Sequence, residues 1–295
     1  MPLSQAEIDR MNSEFWNELC GTGLAKHLGL TDHSPASLAR FDETFLAIYP
    51  YLLPIIQPER MAGKDVLEIG LGYGTLGQKI VEGGACYSGL DIAPNAVRMM
   101  NLRMQIQGLA GAAQVGSALD MPFPDASFDF VVSIGCFHHT GNVQRCFDET
   151  WRVLRPHGIA VLMLYNKFSF RQWRGWPMQT AKELLRDWGF VNRQEQLDEQ
   201  QRYAYDHNRA GTAAPEVVLV GKRQLRKMLS RFEHVSLQKQ NADPLIIWGK
   251  LLATREKLLS TLGRWLGLDI YIEAKKSGEP LPLRHADFAP LARAG

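Results

Sequence analysis

The residues best suited to chemistry lie between positions 68 and 91. Glu68-Ile69-Gly70-Leu71-Gly72-Tyr73-Gly74 sets a carboxylate two residues ahead of three alternating glycines. Asp91 follows about twenty residues further on. Glycines at this spacing let the backbone turn tightly and approach a ligand closely. The helix that such a turn opens presents free N–H groups and the positive end of its dipole. The loop therefore suits either a pyrophosphate or the carboxylate of an amino-acid moiety.

Two ligands compete for it. Gly72-Tyr73-Gly74-Thr75-Leu76-Gly77 satisfies G-x-G-x-x-G, and Asp91 stands where a dinucleotide fold wants its ribose acid, so NAD stays open on these residues. Glu68 argues the other way. It would repel a pyrophosphate but attract the cationic α-amino group of S-adenosylmethionine, and Asp91 would still accept hydrogen bonds from both ribose hydroxyls.

Further along, His138 and His139 follow the apolar run FDFVVSIG (128–135), at the edge where open α/β sheets bind ligands. Imidazole titrates near neutrality, which makes the pair candidate general bases; the other reading is that one of them only pins the loop. Cys136, with no base beside it in sequence, reads as a small buried hydrophobe rather than a nucleophile. Aromatic and polar residues in the less regular segments are the candidate acceptor contacts: Trp16, Tyr49, Tyr165, Tyr205 and His207. No cluster has metal-ligand spacing, so no metal is expected.

Strands alternating with helices would have to position these groups. DVLEIG (65–70), CYSGLDI (86–92), AAQVGSA (112–118), FDFVVSIG (128–135) and GIAVLMLY (158–165) read as strands. Helices over 75–82, 94–107 and 142–154 separate most of them, which implies right-handed β-α-β units and a mostly parallel sheet covered on both faces. Ahead of the first strand, apolar residues at helical spacing over 5–19, and Ser34-Pro35 as an N-cap and first helical residue, predict a helical N-terminal cap over 1–60. Beyond 166 the spacing predicts helices near 178–188, over 222–232 and over 250–266, and strands over 234–239 and 268–275. The tail, 277–295, has few strong apolar positions and is expected to be disordered.

VLEIGLGYG (66–74), LDIAP (90–94), ALDMPFPDASFDFVVS (118–133), FHHT (137–140) and ETWRVLRPHGIAVLMLYN (149–166) occur in this order. In this the chain resembles the class I S-adenosylmethionine-dependent methyltransferases, especially the small-molecule group called type 11. The resemblance covers roughly residues 60–166. It implies a Rossmann-like three-layer sandwich whose seven-stranded, mostly parallel sheet has an antiparallel last strand. It implies a domain over 61–276 with a substrate-cap insertion about 167–220. By position, Glu68, Gly70, Gly72 and Gly74 match the loop that holds the methionine part, Asp91 the ribose acid, and Ile92 the residue packed on adenine. Ser117 stands where the family often has an acid for the adenine amino group, so its hydroxyl or the Ala118 backbone would take over. Gly135 and Cys136 fall where the sulfonium should lie.

The bulk composition fits this reading. Lys+Arg is 33 against Asp+Glu 31 in 295 residues, a net charge of only +2, whereas nucleic-acid binders usually carry a larger basic excess. The N-terminus lacks a signal-peptide pattern and no run suits a membrane span. The four cysteines, Cys20, Cys86, Cys136 and Cys146, show no paired spacing and are expected to be reduced in a cytoplasmic protein. The expected function is methyl transfer from S-adenosylmethionine, leaving S-adenosylhomocysteine, to a small-molecule acceptor at O, N, S or C. The alternatives are a methyltransferase acting on RNA or protein, an NAD-dependent oxidoreductase, and a non-enzymatic relative. Nothing in the sequence specifies an oligomeric state.

Overall fold

In a computed structural model, residues 3–19, 21–188, 197–247 and 249–278 are described. Four helices come first: α1 (Gln5–Trp16), α2 (Thr22–His27), α3 (Pro35–Ile48) and α4 (Leu52–Ile56). Two of them start where local chemistry demands. Ser4 and Glu7 form a reciprocal capping box on α1, and the Ser34 hydroxyl accepts from Ser37 N at 3.3 Å with Pro35 at the first position of α3. The apolar stripe of α3, with Leu38 and Phe41 fully buried, packs toward Tyr73 of the glycine loop.

The alternating part follows as β1 (Asp65–Ile69), α5 (Thr75–Glu82), β2 (Cys86–Asp91), α6 (Pro94–Gln107), β3 (Ala112–Val115), β4 (Phe128–Ile134), α7 (Val143–Val153) and β5 (Leu154–Tyr165). Then come α8 (Phe170–Gly175), α9 (Pro177–Asp187), α10 (Glu199–Tyr205), α11 (Lys222–Met228), β6 (His234–Gln240), β7 (Leu245–Ile247), β8 (Lys250–Ala253), α12 (Arg255–Leu259), α13 (Leu262–Leu266) and β9 (Asp269–Lys275). Seven strands form one sheet in the order β3-β2-β1-β4-β5-β9-β6. The pairs among β1 to β5 are parallel, and β9 runs antiparallel to both β5 and β6. The fold is the expected Rossmann-like α/β sandwich with an antiparallel last strand.

Side chains alternate across the sheet and feed two cores. Leu67, Ile69, Val131 and Leu162 pack with α7 and α11 on one face. Val66, Val132, Val161 and Tyr271 pack with α4, α5 and α6 on the other. Strand order reverses between β1 and β4, which opens a crevice beyond their C-terminal ends, where open α/β sheets bind ligands.

Two expectations are corrected. β3 stops at Val115, so residues 116–118 form a loop over the crevice; Gly116 N donates to Asp91 O at 2.9 Å. Residues 250–266 are not one helix. Gly249, at φ +75°, lets the chain reverse into the β7–β8 ribbon, and the following helical segment breaks at Ser260-Thr261. The apolar positions at its two ends face outward, Trp265 at 79% exposure and Leu251 also on the surface, while Leu258 and Leu262 are half-buried. Cys20 and residues 279–295 lie outside the described residues, while Cys86, Cys136 and Cys146 are free thiols. Among the described residues no helix is long and apolar enough to cross a membrane.

Candidate active site

The β1–α5 turn is as tight as its glycines allow. Gly70, Gly72 and Gly74 all take positive φ, at 82°, 52° and 82°. At Gly70 a Cβ would lie 2.5 Å from Cys136 Cβ, so this loop and the turn after β4 touch backbone to side chain. Glu68 sits beneath, 2% exposed, accepting a 2.5 Å hydrogen bond from the Tyr87 hydroxyl. Burial pushes its carboxyl up to about 8, against the pull of the Tyr87 hydrogen bond and with a further push from Asp91. An acid so placed is short of a cation.

Asp91 ends β2 and holds two loops at once: Oδ2 accepts from Leu71 N at 2.7 Å, Oδ1 from Ala93 N at 2.8 Å. Burial raises its pKa while these backbone donors oppose the shift. Glu68, the glycines at 70 and 72, Asp91, Ile92, Ser117, Ala118 and Gly135 all line one cavity of about 300 Å³. Gly74 is not on its wall; it caps α5 against Arg103. The Ser117 hydroxyl accepts from Leu119 N at 3.2 Å.

The N-terminal helices are tied to this loop by a buried ion pair whose members, far apart in the chain, carry no local motif. Arg103 of α6, fully buried, donates to both oxygens of Asp42 in α3 at 2.9 Å, to Gln78 at 2.8 Å and to the Tyr73 carbonyl at 2.6 Å. Thr75 Oγ1 donates to Asp42 Oδ1 at 2.6 Å. Helix α3, the loop and α6 are thereby fixed to one another.

The same cavity runs on past the glycine loop. Trp16, Tyr49 and Tyr165 line this second part. Tyr205 and His207, also expected there, do not. The Tyr205 hydroxyl is engaged by Gln172 at 3.2 Å and its ring stands behind Tyr165, centroids 4.8 Å apart; His207 is exposed and stacked on Tyr203. Residues that sequence reasoning missed fill the wall instead: Asp9, Asn12, Asp206, Asn241, Asp269 and Tyr271. Asp269 pairs in register with Tyr165 across the β5–β9 ladder; a polar residue directly before the apolar run 270–272 is the signal that could have found it.

The two histidines have different settings. His138 is fully buried, off the cavity wall, with neither ring nitrogen hydrogen-bonded, and its ring packs on Tyr165 at 4.0 Å. Burial holds it well below the ordinary imidazole range, so it is neutral packing. His139 is on the wall. Its Nδ1 lies 2.7 Å from the Glu216 carbonyl, which can only accept, so Nδ1 carries the proton and Nε2 the lone pair. Nε2 faces Asp206 Oδ2 at 3.5 Å, with no hydrogen bond at that oxygen. Burial lowers the His139 pKa, against the Asp206 charge and the Glu216 carbonyl. A neutral nitrogen thus meets a carboxylate that would stabilise it once protonated. His138, His139 and Asp206 also bring potential metal-ligating atoms within 4.8 Å of one another. A ligating imidazole normally gives its second N–H to an acceptor, and His138 has none, so the group fits a proton-handling pair better than a metal centre.

The alternating part of the chain is similar to known proteins. Residues 67–162 match the family model described as a methyltransferase domain. The demethylmenaquinone methyltransferase of Tropheryma whipplei (strain Twist) is 32% identical over 106 residues, 36% of this chain and 43% of that protein. The ubiquinone biosynthesis O-methyltransferase of Bartonella bacilliformis is 25% identical over 179 residues, 60% of this chain and 68% of that protein. The chain thus spans less than half the length of the first of these relatives. Among solved structures, the YcgJ protein of Bacillus subtilis superposes with a TM-score of 0.52 at 21% identity, covering 78% of this chain and 98% of that one, a likeness of fold.

Proposed function

The chain carries a class I S-adenosylmethionine-dependent methyltransferase domain, and from that premise we propose that it methylates a small-molecule acceptor bound between the glycine loop and the N-terminal helices. The observation that carries the reading is the single cavity, whose wall joins the Glu68 and Asp91 end to the aromatic and His139 end. The relatives' printed names, a demethylmenaquinone methyltransferase and a ubiquinone biosynthesis O-methyltransferase, support a small-molecule acceptor.

In this reading Glu68, Gly70 and Gly72 hold the methionine part and Gly74 sets the helix entry. Asp91 binds the ribose, Ile92 packs on adenine, and Ser117 and Ala118 meet its amino edge. Gly135 lies beside the sulfonium. S-adenosylmethionine supplies a methyl group already activated on sulfur, so the protein's work is to align the nucleophile and exclude water. His139 Nε2 takes the acceptor's proton, and Asp206 stabilises the imidazolium. His138 supports the ring from behind. Helices within 1–60 serve as a lid and the segment about 167–220 as the acceptor cap, with Trp16, Tyr49 and Tyr165 as its contact residues and Tyr205 bracing Tyr165. The protein works in the cytoplasm. The acidic cavity wall disfavours RNA, whose phosphates it would repel.

Calorimetric titration with S-adenosylhomocysteine, with NAD alongside, tests the reading. Micromolar binding of the first ligand, lost in a Glu68→Ala, Asp91→Ala variant, is expected. Preference for NAD, or no binding, overturns it in favour of the literal G-x-G-x-x-G match.

A further inference from the structure

The acceptor end of the cavity has an unusual charge balance. Apart from Glu68 and Asp91 at the cofactor end, Asp9, Asp206 and Asp269 line it, and among the described residues no lysine or arginine does. The nearby arginines are committed elsewhere. Arg171 forks onto Asp243 at 2.8 and 2.6 Å, and Arg255 gives its N–H groups to Asn241 Oδ1, the Ile48 carbonyl and the Tyr51 hydroxyl.

Asp269 is the telling residue. It is 2% exposed, it opens the buried strand β9, and its Oδ1 has no hydrogen-bond partner although it lines the cavity. The Asn241 side chain, and more weakly the charges of Arg171 and Arg255, favour its charged form. A buried carboxylate left in this state is costly unless a cation or donor completes it. Burial accordingly holds its pKa up at about 7, and Asp206 adds to the push. The rings of Trp16, Phe45, Tyr49, Tyr165 and Tyr271 line the same cavity, and aromatic faces attract a cation, as the Tyr49 ring already does with the Arg255 guanidinium 5.2 Å away.

Resting on the methyltransferase reading above, we infer that the acceptor is an amine that enters as an ammonium ion, its charge held by Asp269 among these rings and its proton taken at His139. A phenolate, carboxylate or phosphate would face three carboxylates with no lysine or arginine on the wall among the described residues. The step balances without another reagent. The ammonium gives one proton to His139 Nε2, which passes it to solvent. The freed nitrogen lone pair forms the new N–C bond as the C–S bond breaks, and sulfur keeps that electron pair as a thioether. The residues that carry this inference, Asp9, Asp206 and Asp269, all lie outside the 67–162 segment shared with the methyltransferase-domain family.

The test uses three scaffolds (phenylethyl, hexyl and indolylethyl), each as amine, alcohol and carboxylate, titrated into protein saturated with S-adenosylhomocysteine. The amine is expected to bind tightest on at least two scaffolds, and Asp269→Asn, which keeps shape and removes charge, to reduce amine over alcohol selectivity by about tenfold. Asp9→Asn, on α1 and away from the sheet, is expected to reduce it by a smaller factor, so the idea survives a folding defect in the strand variant. Selectivity is the readout because loosened packing would weaken amine and alcohol alike. Tightest binding by an alcohol or carboxylate overturns the inference. So does an absence of amine binding below about 1 mM, or unchanged selectivity in both variants. Repeating the series on ligand-free protein separates the two readings: failure to bind S-adenosylhomocysteine sinks the methyltransferase assignment, while the amine arm judges this inference independently.

Discussion

Asp42→Ala should be far more damaging than an ordinary helix substitution. It leaves the Arg103 guanidinium, fully buried, with only Gln78 and the Tyr73 carbonyl for company, and it removes the acceptor of the Thr75 hydroxyl. Breaking a buried pair by deleting one partner costs about 3–5 kcal/mol, most of it the penalty of a stranded charge. A chain of this length carries roughly 0.6 kcal/mol/K of unfolding entropy, so Tm should fall by about 5–8 °C. Asp42→Leu combined with Arg103→Met removes both charges and should recover part of the loss, giving a coupling of about 1.5 kcal/mol or more between the sites. Recovery should stay incomplete, because the Tyr73 carbonyl then loses its buried donor, worth about 1–3 kcal/mol. Since that carbonyl belongs to the glycine loop, S-adenosylhomocysteine affinity should stay weakened in the double variant even where Tm improves. Differential scanning calorimetry and ligand titration on the unaltered protein, Asp42→Ala, Asp42→Leu, Arg103→Met and the double variant read both quantities. A Tm drop under about 2 °C for the single variant, or strictly additive effects, would refute the view that this pair locks the N-terminal helices to the loop.

Three further outcomes follow from the site. His139→Gln should cut turnover by about 10²–10⁴ with S-adenosylhomocysteine affinity nearly intact; by NMR, His139 should titrate below 6.5, and lower still in Asp206→Asn, since that carboxylate favours the imidazolium. A value above 7 would rule out a neutral base waiting for its proton. Because Glu68 is held at about 8 from an ordinary 4.5, the folded state keeps a proton that the unfolded state has lost. Stability of the ligand-free protein should therefore fall as pH rises from 4.5 to 8, a slope that Glu68→Gln should flatten in urea titrations. At pH 7, binding S-adenosylhomocysteine should release most of one proton, read as a buffer-dependent calorimetric enthalpy. Gly70→Ala combines φ +82° with a Cβ pressed on Cys136, so a loss of about 2–3 kcal/mol is expected, with Cys136→Gly restoring part of it; a neutral substitution would show that the loop relaxes freely.

What the sequence made legible follows the range of the interactions involved. The glycine loop, Asp91 and the five parallel strands could be read because each is written locally: a turn needs its glycines in sequence, and a strand–helix alternation repeats along the chain. Even the antiparallel last strand was reachable, through resemblance and the alternation in 268–275. Residues 250–266 do not form the expected single helix because helical spacing competes with Gly249 and the Ile246-Ile247 run, which favour an extended ribbon. The acceptor wall was illegible for a different reason. Asp9, Asp206 and Asp269 are scattered over the whole chain, each unremarkable where it stands, and only the fold brings them to one cavity. Residue type points to Tyr205 and His207, yet their neighbour Asp206 is the one that lines the cavity. One residue's rotation along an extended stretch exchanges inside for outside, and residue type cannot reveal that phase. The same applies to the histidines: side by side in sequence, one is sealed in the core and the other turns its free nitrogen to Asp206. Cofactor recognition is thus encoded in a contiguous motif, whereas acceptor recognition is encoded in tertiary placement, so two chains sharing the first can differ wholly in the second.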